Sequence, residues 1–430
     1  MRTIFLNARL VEPLSRYDGP GALIVEDGRI AGLHHGAPDI LPDGMRIDCA
    51  GKVLAPGLVD MRVFVGEPGA RHRESFRSAG AAAAAGGVTT MVVQADTQPP
   101  LDDPALVQFA MARAASSTPV RVQAMGALTR GLAGREMTEQ RLLLDAGAVA
   151  LSDADRPVGD TAVMRAILAY ATSTGALVVH HPQDAGLSAH GCATSGEFAT
   201  RLGLPSVPAV AERIGLERDL ALVEATGARY HADIVSTAAA LPVLDRARAA
   251  GADVTAATSI HHLTLNEYDI GDYRSFFKVA PPLRAEEDRR AVVEALAEGR
   301  IDIVVSGHAP WDTEAKRLPF EEAATGAIAL ETFLPAMMRL VHGGALDLLR
   351  LFEAAALAPA RRLGLEGGHL SEGAPADLVL FDPAAPFVLD RNALRSKSKN
   401  TPFDRMRMEG RVIGTWIGGA RVFDAAAEAA

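Results

Sequence analysis

Five short segments of the sequence carry residue types that could do chemistry. They are Asp60-Met61-Arg62-Val63-Phe64-Val65-Gly66, Leu151-Ser152-Asp153, His180-His181-Pro182-Gln183-Asp184, His231-Ala232-Asp233-Ile234 and Ser306-Gly307-His308-Ala309-Pro310-Trp311. Imidazoles and carboxylates are the groups that ligate zinc and move protons. The first segment is the odd one. If it is a strand, its period of two puts Arg62 and Phe64 on one face. An obligately charged guanidinium repels a dication and a phenyl ring has no lone pair to give, so neither residue can serve as a ligand. Other chemistries find less support. There is no Gly-x-x-x-x-Gly-Lys phosphate loop and no Gly-x-Ser-x-Gly elbow, and Gly86-Gly87 follows a helical stretch instead of opening one. Cys192 neighbours His190, but such close neighbours rarely face one another, and a surface-loop cysteine is the expectation.

These segments sit at the ends of apolar runs, which fixes the kind of scaffold that must hold them. Strands are expected at 58–65, 89–94, 120–125, 149–153, 176–181, 228–236, 253–259 and 301–307. Amphipathic helices are expected between them, at 74–85, 104–115, 139–145, 162–174, 207–226, 238–250 and 285–298. Eight strands alternating with helices favour a barrel over an open doubly wound sheet, and in such a barrel chemistry gathers at the C-terminal strand ends. Residues 2–10 and 22–33 alternate in the manner of β-strands, with Asp27-Gly28 as a hairpin turn, and 376–381 and 414–423 are strand-like again. The expected architecture is an α/β fold: a (β/α)8 barrel over 56–365, with a small β-sandwich domain built from 1–55 and 366–430.

Composition sets the class of protein. The chain has 430 residues, 48% hydrophobic and 22% charged, with a net charge of −10 and no block of like charge. That balance offers no electrostatic attraction to nucleic acid or to an anionic membrane. Two cysteines, Cys49 and Cys192, are too few for a disulfide framework or a thiolate metal site, and the start reads as a strand instead of a signal peptide. A cytoplasmic protein is expected.

The ordered motifs Ala55-Pro56-Gly57-Leu58-Val59-Asp60-Met61, Glu67-Pro68-Gly69, Ala84-Ala85-Gly86-Gly87-Val88-Thr89-Thr90, Lys278-Val279-Ala280-Pro281-Pro282-Leu283-Arg284, His308-Ala309-Pro310 and Gly373-Ala374-Pro375-Ala376-Asp377-Leu378 resemble the dihydroorotases of the amidohydrolase superfamily. The resemblance runs from about residue 5 to about residue 420. It implies a distorted β/α barrel, one or two zinc ions at its mouth, and reversible cyclisation of carbamoyl aspartate in pyrimidine synthesis.

Set beside that family, the departures are concentrated where its chemistry lies. Its first-strand His-x-His pair corresponds to Arg62 and Phe64, and the arginine that grips the substrate carboxylate corresponds to Gly66. The sixth-strand ligand histidine corresponds to Ile234, and the eighth-strand aspartate, ligand and proton carrier at once, to Gly307. Two asparagines that meet substrate correspond to Asp96 and Ala280. Asp153 matches the bridging carboxylate of one branch of the family, and His181 matches a fifth-strand ligand. Catalytic zinc takes three protein ligands and a water, so two survivors fall short of a site. Without the family's ligands, His181 is expected to be an ordinary hydrogen-bonded histidine and Asp153 to be paired, with Arg62 as its expected partner. Phe64 and Ile234 are expected to fill the vacated space, and His308 to keep a structural hydrogen bond. Of the two His-His pairs, His34-His35 reads as an exposed turn, and His261-His262 as part of a barrel-wall stretch that the resemblance supplies.

The resulting expectation is a dihydroorotase-like pseudoenzyme with no catalytic residue, metal or other cofactor. By resemblance it is a scaffold or regulatory subunit of aspartate carbamoyltransferase, and homo-oligomeric. The alternative is a working cyclic-amide hydrolase with one zinc rebuilt around Asp153, His181 and one of His180, Asp184 or His231. A third reading is a sensor that binds a small acid through Arg62.

Overall fold

A computed structural model of the chain describes residues 2–36, 40 and 42–427. Eight parallel strands pair in chain order: Leu58–Val63, Val88–Val93, Arg121–Gly126, Ala148–Leu151, Leu177–His180, Arg229–Ala232, Val254–Ser259 and Ile303–Val305. All eight are the strands expected from sequence, and the first, fourth, sixth and eighth stop two to four residues earlier than expected. The cause is at the mouth, where polar end residues leave the ladder to turn inward. Ala154, Ile234 and Gly307, just beyond the fourth, sixth and eighth strands, have φ of 54°, 55° and 72°. Left-handed backbone cannot continue a strand. The barrel closes between its first and eighth strands. Phe64 N–H donates to His308 C=O at 2.9 Å, and the wholly buried Asp60 accepts from Ser306 N–H at 3.1 Å. Its interior is apolar, with Met61, Val92, Met125, Leu177, Val179, Ile303 and Val305 packed together.

The expected helices are also present, bounded by the chemistry that starts and stops them. Ser75 caps Phe76–Ala85 in a reciprocal capping box, and Asp103 caps Pro104–Ala115, whose proline occupies the first turn. Glycines at 175 and 227 adopt the left-handed conformation that ends Thr161–Thr174 and Val210–Thr226.

The two ends of the chain meet in one further sheet of eight strands drawn from 2–56 and 378–424. Asp27 and Gly28, both at positive φ, turn Tyr17–Glu26 into Arg29–His35, as the Asp-Gly signal requires. Phe5 and Trp416 meet edge to face at 5.0 Å in its core. Val53–Pro56 runs directly into the first barrel strand, so this sheet fixes where that strand begins. Two expectations fail here. His34-His35 is part of a strand, where His35 stacks on Tyr17 at 3.8 Å, because the hairpin runs longer than its alternation suggested. Cys192 is buried, its Sγ 3.5 Å from Pro205 C=O, because a short two-strand pairing covers it. No helix among the described residues is long and apolar enough to cross a membrane.

Candidate functional site

The C-terminal strand ends surround a cavity of about 60 Å³. Arg62, Phe64, Asp96, Ile234, Ala280 and Gly307, singled out separately in the sequence, all line it. Gly66 does not. It lies behind Phe64, where a Cβ would come within 2.1 Å of Ala70 C=O, so its backbone position admits no side chain.

Arg62 organises the site. Its guanidinium pairs with Asp233 through Nη1 and with Asp155 through Nη2, the arginine and Asp233 being buried and Asp155 half exposed. A cation thus occupies the barrel mouth, held by carboxylates from the ends of the fourth and sixth strands. The expected pairing of Arg62 with Asp153 is not formed. Asp153 turns away from the mouth and accepts from Leu128 N–H at 2.8 Å, Thr129 N–H at 3.0 Å and the Thr129 hydroxyl. With both oxygens satisfied by the neighbouring loop, it needs no ion pair, although burial still pushes its pKa upward. The acids that do hold Arg62 were passed over in the sequence. The available signal was the arginine itself: a buried guanidinium requires a counter-charge, and Asp155 and Asp233 are acids at the ends of the fourth and sixth strands.

Above Arg62 a second cation closes the cavity. The Arg73 guanidinium lies over the Phe64 ring at 3.8 Å and over the Trp311 ring at 3.4 Å, and its Nε donates to Pro310 C=O at 2.9 Å. Burial lowers its pKa to about 10. The segment 396–400 locks this arrangement. The Ser398 hydroxyl donates to Arg73 C=O at 2.9 Å, and Asn400 bridges Trp311 N–H at 3.1 Å and Gly326 C=O at 3.0 Å. Asp96 beside it has its pKa raised to about 6, first by burial and then by the nearby Asp155.

The histidines around the barrel mouth are deeply buried. His180 donates from Nδ1 to Asp219 at 2.6 Å and accepts at Nε2 from Val158 N–H at 2.9 Å, so both nitrogens are committed. His231 meets the Thr255 hydroxyl at 2.7 Å, and Asp184 caps Ala185–Ser188. His308 accepts from Ala329 N–H at 3.1 Å, the structural bond expected of it. His262 lies between the Ser259 hydroxyl at 2.8 Å and Pro281 C=O at 2.9 Å. A carbonyl only accepts, so Nε2 carries the proton and Nδ1 receives the serine hydroxyl. His181 corrects its expectation: its Nδ1 is buried with no hydrogen-bond partner. Burial above all brings His181, His231, His261 and His262 to about 3, which keeps them neutral.

Tested against zinc, this donor set does not fit. Among the described residues no group of three or more His, Cys, Asp or Glu side chains is placed to hold a metal ion. The position between the strands is filled by the Arg62 guanidinium, and Phe64 and Ile234 offer only carbon.

A family model described as dihydro-orotase-like matches residues 51–240, and one for the amidohydrolase family matches 327–423. A dihydroorotase of Anaeromyxobacter dehalogenans strain 2CP-1 is 39% identical over 97% of this chain and 96% of its own length. One of Syntrophotalea carbinolica is 38% identical over 97% and 98%. Among solved structures, the L-hydantoinase of Arthrobacter aurescens superposes with a TM-score of 0.89 at 26% identity, covering 98% of this chain and 96% of the other.

Proposed function

Because the chain belongs to the dihydroorotase-like amidohydrolases, we propose that it is a non-catalytic member, a scaffold or regulatory subunit working with aspartate carbamoyltransferase in pyrimidine synthesis. One observation carries the loss of catalysis: Arg62, clamped by Asp233 and Asp155, sits where a hydrolytic barrel needs an open coordination position. Three requirements fail together. Among the described residues no ligand set faces the cavity, Gly307 directly after the eighth strand brings no carboxylate to carry the proton, and Gly66 supplies no clamp for a substrate carboxylate. The arginine supplies a positive charge without Lewis acidity, since it has no vacant orbital to polarise an amide. The barrel and the terminal sheet remain fully packed, so surfaces on the fold outlive the chemistry. The partner enters by family resemblance.

The test is co-purification with aspartate carbamoyltransferase and assay of that enzyme alone and with this chain added. A stable complex with altered carbamoyltransferase activity supports the proposal. Turnover of carbamoyl aspartate by the purified chain alone rejects it.

A second reading, a working cyclic-amide hydrolase, draws support from the unpartnered Nδ1 of His181, a free donor atom at the strand ends. It requires two further ligands within about 2.0–2.3 Å of one ion. His180 has both nitrogens committed and Asp153 both oxygens, whereas His231 keeps an unpartnered Nε2; among the described residues no three such groups are placed around one point.

A further inference from the structure

The Arg62 guanidinium is already held by two carboxylates, so a small-acid sensor finds no free cation there. The outside of the barrel carries more. The helices Pro104–Ala115 and Gln140–Asp145 pack side by side on it. Together they hold three charged side chains in 18 residues, whereas Val210–Thr226, Leu241–Ala249 and Glu286–Ala297 hold fifteen in 38. None of the three is free, because Arg113 pairs with Glu67 and Arg141 with Asp145. Spaced by the helical repeat, Ala105, Gln108, Phe109 and Ala112 face solvent. Phe109 is 51% exposed, and Leu142 on the neighbouring helix 52%. The outer side of a solvated helix normally carries charge, as Glu287, Arg290 and Glu294 do on Glu286–Ala297. The centre of a protein interface instead loses charge and gains aromatic side chains.

The pattern on this face is self-complementary, which makes an identical copy its occupant. Chains of net charge −10 repel one another, so two copies meet most easily where charge is absent or already paired. Ala105 and Ala112 lie about one turn either side of Phe109. Laid antiparallel on its own copy, the helix sets each phenyl ring beside the small side chains of the other. Reversal also sets Arg141 opposite Asp145 of the partner subunit, and Asp145 opposite Arg141 of the partner subunit. An opposite-sign pair four residues apart complements itself when turned end for end. We propose that these two helices form the interface of a two-fold symmetric homodimer, antiparallel across the axis, with Phe109 at its centre. The dimer needs neither metal nor carbamoyltransferase, so it stands apart from the scaffold proposal.

Sedimentation velocity on the full-length protein, from about 1 to about 100 μM, should give a species of twice the 45.1 kDa chain mass. Phe109→Glu, at an exposed position that should leave the melting temperature unchanged, should weaken dimerisation at least about tenfold. Arg141→Asp should also weaken it, by setting like charges against each other, and the swapped double variant Arg141→Asp/Asp145→Arg should restore it. That recovery is the signature of antiparallel pairing, and a swapped variant as weak as the single one rejects the arrangement. Ile214→Glu, exposed on the charged side of the barrel, should leave the dimer intact. A monomer at about 100 μM, or a dimer as tight in Phe109→Glu as in the parent, overturns the proposal. So does a monomer in which Phe109→Glu abolishes only a complex with carbamoyltransferase, which would give the face to that enzyme instead.

Discussion

Arg62 and Asp233 form a buried ion pair that ties the first barrel strand to the end of the sixth, with the half-exposed Asp155 as its second anchor. Acidic groups from the fourth and sixth strand ends are directed at the barrel mouth. A fixed cation satisfies them without needing metal from solution.

The pair can be tested by double-mutant cycle. Arg62→Met leaves Asp233 buried without a counter-charge and should lower stability by about 3–5 kcal/mol in urea denaturation. Asp233→Leu alone should also destabilise. The double variant, which places carbon against carbon, should recover most of either loss, since replacing a whole buried pair with apolar groups is often near neutral. Additive losses would show that the two side chains do not interact.

Asp60 predicts a pH effect. Burial raises its carboxyl to about 6, against hydrogen bonds from Ser306 and Arg62 N–H that act the other way, and its Oδ2 has no partner. Between its ordinary pKa near 4 and this value the folded chain binds more protons than the unfolded one, so this group's contribution to stability falls as pH rises through that window. Asp60→Asn removes the titration. Relative to the parent, the variant should gain roughly 2–3 kcal/mol between pH 4 and pH 7 in denaturation curves. A constant difference across that range would contradict it.

The fold was legible because each barrel strand is an apolar run bounded by polar or glycine positions, a signal contained within ten residues. The cavity positions were legible for a similar reason: Arg62, Phe64, Ile234 and Gly307 each sit beside motifs that fix their place in the barrel. What holds Arg62 was hidden. Asp155 and Asp233 lie 93 and 171 positions away in sequence, and the choice between Asp153 and Asp155 depends on which way the backbone turns at Ala154. Once Asp153 turns onto the Leu128 and Thr129 amides, only its neighbour two residues on can reach the mouth.

Metal content separates the two functional readings directly. Protein purified in zinc-containing buffer and dialysed should retain zinc well below one ion per chain by elemental analysis, since no described cluster of three ligands exists. Stoichiometric zinc, together with its loss in His181→Ala, would favour the working hydrolase.

Ile234 supplies the last prediction. It adopts φ of 55° while only 2% exposed, a conformation in which β-branched side chains are outliers. Apolar packing within the barrel offsets the strain. Moving the branch from Cβ to Cγ should relieve part of that strain at constant volume. Ile234→Leu should therefore be neutral or slightly stabilising, whereas Ile303→Leu, an extended position in the same cluster, should cost about 1 kcal/mol. Equal losses at the two sites in chemical denaturation would mean that residue 234 is not strained.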